Sequence, residues 1–87
     1  MIINLGGLVF ATDLKESCKH IEYLYSEYDT QVFKLKIDRT LNPPFYELFI
    51  QYEELCGDKW RTLNSKIAGS SKLSKIDKFI EENIYQL

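Results

Sequence analysis

At 87 residues the chain has room for one domain and one core, and with 45% hydrophobic and 28% charged residues it falls outside the disordered class. Its net charge of −2 and pI near 5.3 argue against a generic nucleic-acid binder, though not against a local basic patch. Its two cysteines, Cys18 and Cys56, read as reduced thiols rather than a disulfide framework, and no run approaches the roughly 18–20 apolar residues of a membrane helix.

The N-terminal MIINLGGLVFA lacks the basic region of a signal peptide, and its apolar run is broken by Asn4, Gly6 and Gly7. The expectation is an uncleaved cytoplasmic protein. Residues 2–11 suit a mostly buried strand, with Gly6–Gly7 marking a bulge or a close backbone approach. Two glycines without the further spacing of a phosphate loop do not predict one.

Residues 12–29, TDLKESCKHIEYLYSEYD, predict a helix. Thr12 or Asp13 is available as a cap, and Asp13 with Glu16 forms a capping-box pattern. Leu14, Cys18, Ile21, Tyr25 and Tyr28 recur at helical spacing as a buried stripe, with Leu24 at its edge. Tyr23 then falls opposite, framed by Glu16 and Glu27. Residues 31–38 alternate, Phe33, Leu35 and Ile37 facing one way and Lys34, Lys36 and Asp38 the other, which predicts a half-buried strand.

The stretch LNPPFYELFIQYEELCG, residues 41–57, fits two templates. As a helix it aligns Phe45, Leu48, Phe49, Tyr52 and Leu55. As a strand it puts Tyr46, Leu48, Ile50 and Tyr52 on one face and Phe45, Glu47, Phe49, Gln51 and Glu53 on the other. The double proline removes a usable helix cap, and the aromatic content favours a strand. Residues 59–66, KWRTLNSK, then continue as a further strand after a turn at Cys56-Gly57-Asp58; the rival reading makes 59–68 a helix capped by Asp58 and stopped by Gly69. The last segment from Ser70 or Ser71 predicts a helix with Leu73, Ile76, Phe79, Ile80, Ile84 and Leu87 as its core stripe.

The expected fold class is α+β, one domain over 1–87. It has a small antiparallel or mixed sheet of three to four strands, two helices on one face and the order β-α-β-β-β-α. The alternative is β-α-β followed by three helices, which leaves too few strands for a good sheet.

Catalytic equipment is missing from the pattern. His20 is the sole histidine, and Cys18 and His20 diverge on the predicted helix, so they make neither a nucleophile–base pair nor a zinc site. The adjacent pairs Glu53–Glu54 and Glu81–Glu82 diverge and form no acid–base dyad. The expectation is no enzyme, no metal and no cofactor.

Two surfaces remain. The strand reading of 45–55 leaves Phe45 and Phe49 beside Glu47 on the face away from the helices, and the first helix adds Tyr23 with Glu27. Aromatic residues rimmed by acids suit protein docking. The likeness in size and composition is to bacterial immunity proteins, antitoxins and phage-encoded inhibitors. That implies a stoichiometric, non-catalytic inhibitor or modulator of a nuclease, toxin or host or defence enzyme, with homodimerisation left open. The alternative is a small nucleic-acid-binding regulator. It would use Lys59, Trp60, Arg61, Lys66, Lys72, Lys75 and Lys78, whose segment 59–78 carries a net +5 against its single acid, Asp77.

Overall fold

The computed structural model describes residues 1–12 and 20–84. Strand β1 (Ile2–Leu5) turns through Gly6–Gly7 into β2 (Leu8–Ala11). Both glycines have positive φ, 56° and 92°, which is the geometry a two-residue hairpin needs to match strand twist. Strand β3 (Ile21–Tyr28) returns through Asp29–Thr30 into β4 (Gln31–Asp38). Asp29, at φ 60°, takes the left-handed position there. Residues 39–44, with a cis Asn42–Pro43 bond, lead to β5 (Phe45–Cys56), and Gly57–Asp58 tightly joins β5 to β6 (Lys59–Ser70). One helix, α1 (Leu73–Asn83), follows. The strands form one six-stranded antiparallel sheet in chain order.

Period-two alternation puts Leu5, Leu8, Phe10, Leu24, Phe33, Leu35, Ile37 and Leu48 on one face, where Ile76 and Ile80 of α1 cover them. Two buried polar side chains share this face, Glu22 and Ser26. Arg39 donates to the Glu22 carboxylate from Nε at 2.9 Å and from Nη2 at 2.6 Å, so the buried charge is paired. At the other end of the sheet the Gly6 amide donates to the Asp77 side chain, tying the β1–β2 turn to the helix.

This is a correction to the expected fold: the sheet has six strands rather than three or four, and the described residues hold one helix rather than two. The alternative with three C-terminal helices fails as well, since Phe45–Cys56 and Lys59–Ser70 are both strands. Residues 2–11 are two strands rather than one, because Gly6–Gly7 turns the chain instead of bulging it. The helix expected over 12–29 is, in its second half, strand β3; its first half, with Asp13, Leu14, Glu16 and Cys18, lies mostly outside the described residues. The helical stripe was misleading because β3 alternates in an inverted sense. Polar Glu22 and Ser26 flank Leu24 on the buried face, while Tyr23 and Tyr25 point outward at 40% and 44% exposure. An eight-residue register with β4, from Ile21↔Asp38 to Tyr28↔Gln31, outweighs that local periodicity. The last helix is present, but Ser70 ends β6 and neither Ser70 nor Ser71 is its N-cap. Its N-cap is Lys72, whose amide donates to Ser70 Oγ at 3.0 Å, and Leu87 lies outside the described residues.

Among the described residues no helix is long and apolar enough to cross a membrane.

Candidate docking surface

The face of the sheet opposite α1 is uncovered by any described segment. Cross-strand register assembles it row by row. One row runs Tyr23, Lys36, Glu47, Gly69; the next runs Tyr25, Lys34, Phe49, Lys66; a third runs Glu27, Val32, Gln51, Asn64. Tyr23, Glu27, Phe45, Glu47 and Phe49, drawn from distant parts of the sequence, therefore all lie on this one face. Antiparallel pairing of β3 through β4 to β5 is what brings them together.

Their environments differ from the simple aromatic–acidic picture. Phe45 and Phe49 are half-buried rather than exposed. Phe45 lies over Gly69, so closely that a methyl group there would sit 3.3 Å from the ring. Lys34 Nζ stands 4.3 Å from the Tyr23 ring centroid and 5.7 Å from that of Tyr25, within cation–π range. Glu47 is flanked by Lys36 at 3.7 Å and Lys66 at 3.4 Å. Each such pair is worth less than about 1 kcal/mol, yet together they satisfy the carboxylate locally. The middle of the face is thus aromatic and holds three lysines, Lys34, Lys36 and Lys66, against the single carboxylate of Glu47.

The acidic character sits at one end. Glu27 closes the outer end of β3, Asp29 occupies the β3–β4 turn, and Glu53 follows on β5. None of the three forms an ion pair with a described cation. Glu54, by contrast, faces Arg61 at 3.8 Å.

That end also holds the molecule's least ordinary feature. Strand β4 pairs with β5 only from Phe45 to Gln51. Beyond this point β5 and β6 continue as a two-stranded arm, Tyr52 opposite Leu63 and Cys56 opposite Lys59, with no third strand. Twelve residues at about 3.4 Å each span some 40 Å, which accounts for a longest dimension of 43 Å against a thickness of 19 Å. Exposed side chains crowd the arm: Tyr52, Leu55 and, at 67% exposure, Trp60. Cys56 carries a free, exposed thiol near its tip. A recess of about 380 Å³ marks the step where β4 stops, lined by Thr30, Gln31, Val32, Ile50, Gln51, Tyr52 and Glu53.

The basic segment does not converge. Lys59, Trp60 and Arg61 lie on the arm, Lys66 lies beside Glu47 on the open face, and Lys72, Lys75 and Lys78 lie on or beside α1, on the other side of the sheet. Residues 59 and 70 alone are about 37 Å apart along β6.

Sequence reasoning missed Tyr25, which the helical stripe buried, and Lys34, whose ring contacts depend on β3 being a strand. The signal was present as the alternation of Tyr23, Tyr25 and Glu27. Tyr52 lies on the core-facing side, as the strand reading has it, but past the end of β4 and so in solvent. Among the described residues no group of three metal-ligating side chains converges. Asp38 titrates below its ordinary value, because the side chain and then the backbone of Thr40 hydrogen-bond to its carboxylate. That is a turn contact, away from any cleft. No family model matches the chain, and neither curated proteins nor solved structures match it.

Proposed function

We propose that this chain is a small, non-catalytic protein-interaction module of the cytoplasm. In this reading it acts as a stoichiometric inhibitor or modulator, docking the helix-free face of its sheet on a partner protein. The observation that carries the reading is the convergence of Tyr23, Glu27, Phe45, Glu47 and Phe49 on one uncovered face. Aromatic side chains at or near the surface, bordered by charged groups, are common anchors of protein interfaces. The acidic end formed by Glu27, Asp29 and Glu53 favours a partner with a basic surface, as on a nuclease, and would raise its association rate at low salt. The free thiol of Cys56 suits a reducing compartment. The nucleic-acid alternative draws less support, since its basic residues occupy separate parts of the molecule.

The test is a titration by calorimetry of the purified chain against the partner it retains from its native host. Alanine at all five positions is expected to weaken binding at least ~100-fold, while Tyr23→Ala with Glu27→Ala, which disturbs no core residue, weakens it about tenfold. Circular dichroism checks that both variants fold. Unchanged affinity in the folded five-site variant refutes the proposal.

A further inference from the structure

We infer that the free edge of β5 beyond β4 takes an extended, basic segment of the partner as an added strand. This deepens the docking reading above and rests on it.

The edge is defined by the ladder itself. Cys56 and Lys59 close a two-residue turn, so they exchange hydrogen bonds, and alternation makes Glu54–Arg61 and Tyr52–Leu63 the next bonded pairs. Glu53 and Leu55 therefore aim their backbone N–H and C=O groups away from β6. Two residues earlier on β5, Gln51 meets Val32 on that same side, but β4 begins at Gln31 and pairs with nothing farther out. The unpaired groups of Glu53 and Leu55 thus form a template for one more strand.

The two outermost edges of the sheet, those of β1 and β6, are guarded. β1 is only four residues long. The outer edge of β6 carries Lys59, Arg61 and Lys66 and is kinked by a register shift opposite Leu48 and Phe49, both common defences against strand addition. The β5 edge differs in being an inside corner. A strand laid along it would abut the β3–β4 turn and fill the recess between Thr30–Val32 and Ile50–Glu53. It would cover Tyr52 on one side of the ribbon and Leu55, 56% exposed, on the other.

Charge selects the occupant. Glu27, Asp29 and Glu53, none ion-paired with a described cation, surround this corner, while Glu54 is paired with Arg61 across the ribbon; neither 25–33 nor 50–58 contains a lysine or arginine. A second copy is the poorer fit. Two β5 edges paired about a twofold axis would crowd Glu53 and Glu54 with the same acids of the other copy, and pairing β5 with the basic β6 of another copy is a head-to-tail contact that does not close.

The probe is a synthetic nine-residue peptide alternating lysine and valine, titrated into the isotope-labelled full chain and followed by NMR. Binding should slow amide exchange at Glu53 and Leu55 and shift resonances of residues 30–32 and 51–55. Leu55→Pro deletes an outward N–H without touching the β5–β6 ladder, and should weaken the peptide at least tenfold. Leu55→Ala, which keeps the N–H, should weaken it less than threefold. Glu27→Lys with Glu53→Lys should weaken it at least tenfold, and replacing the peptide lysines by glutamates should abolish binding. Equal affinity for the wild type and Leu55→Pro overturns the inference, as does protection at Trp60 and Thr62 in place of Glu53 and Leu55. A dimer in sedimentation that Leu55→Pro dissolves would assign the edge to a second copy, also overturning it. Against the purified native partner, loss of binding by the five-site face variant with retention by Leu55→Pro rejects the edge and keeps the docking face. Retention by both rejects the two together.

Discussion

Gly6 and Gly57 occupy equivalent backbone conformations, φ 56° and 65°, in unequal surroundings, and that difference yields a sharp test of the packing. A side chain at either position incurs the left-handed cost of about 1–2 kcal/mol. At Gly57 nothing else opposes it, since a methyl there meets no atom within 4 Å. At Gly6 the same methyl would stand 2.7 Å from Ile80 Cγ2, 2.8 Å from its Cβ and 3.1 Å from the Asp77 carbonyl oxygen. Ile80 is fully buried and cannot swing outward, so overpacking adds about 1–3 kcal/mol. Gly57→Ala should therefore cost about 1–2 kcal/mol and Gly6→Ala about 2–5 kcal/mol, out of a total of roughly 5–15 kcal/mol for a domain of this kind. Urea unfolding at 25 °C, followed by far-ultraviolet circular dichroism, measures both. In thermal melts each kcal/mol is about 4–8 °C. Equal losses for the two variants would refute the argument, showing that α1 gives way to the added methyl and that the β1–β2 turn is not clamped against it.

Two further outcomes follow from the polar contacts. Arg39→Met strands the Glu22 carboxylate in the core face. The cost should be about 2–3 kcal/mol, below the ~3–5 kcal/mol of a sealed pair because the Arg39 side chain is 35% exposed. Adding Glu22→Gln should restore at least half of the loss in urea unfolding, and a single-variant cost within about 0.5 kcal/mol of zero would show the pair to be idle. For Asp38, the folded carboxyl titrates below its unfolded value of 3.8. The contribution is accordingly present above that value and disappears as pH falls through the lower, folded midpoint. Thr40→Val removes the hydroxyl donor, so the Asp38 midpoint in a carbon-detected NMR titration should rise, with the backbone donor of residue 40 still in place at 3.0 Å. An unmoved midpoint would count against the hydroxyl as the main cause.

How much of this was legible follows from which residues carry one pattern and which carry two. Residues 31–38 carry one. Phe33, Leu35 and Ile37 alternate strictly with charged neighbours, and β4 is the strand they describe. For 45–56 the double proline tipped an ambiguous stretch toward the observed strand, and its face assignment placed Phe45, Glu47 and Phe49 together as found. Residues 21–28 carry two patterns. Ile21, Tyr25 and Tyr28 obey helical spacing while Tyr23, Tyr25 and Glu27 obey strand spacing. The hydrophobic count favours the helix because the buried face of the strand is largely polar. Arg39, seventeen residues from Glu22 in the chain, makes a carboxylate there tolerable.

The sequence by itself therefore determined the outward and inward faces of β4 and β5, the presence of the last helix, and a set of aromatic and acidic residues suited to docking. Local periodicity and proline chemistry act within a few residues, so they can be read there. Tertiary structure decided that β3 is a strand, that five scattered side chains share one face, and that β5 outruns β4 to leave an open edge. Each of these is a matter of strand register between distant segments, settled by which partner satisfies the backbone hydrogen bonds and buries the larger apolar area. No local pattern contains that information.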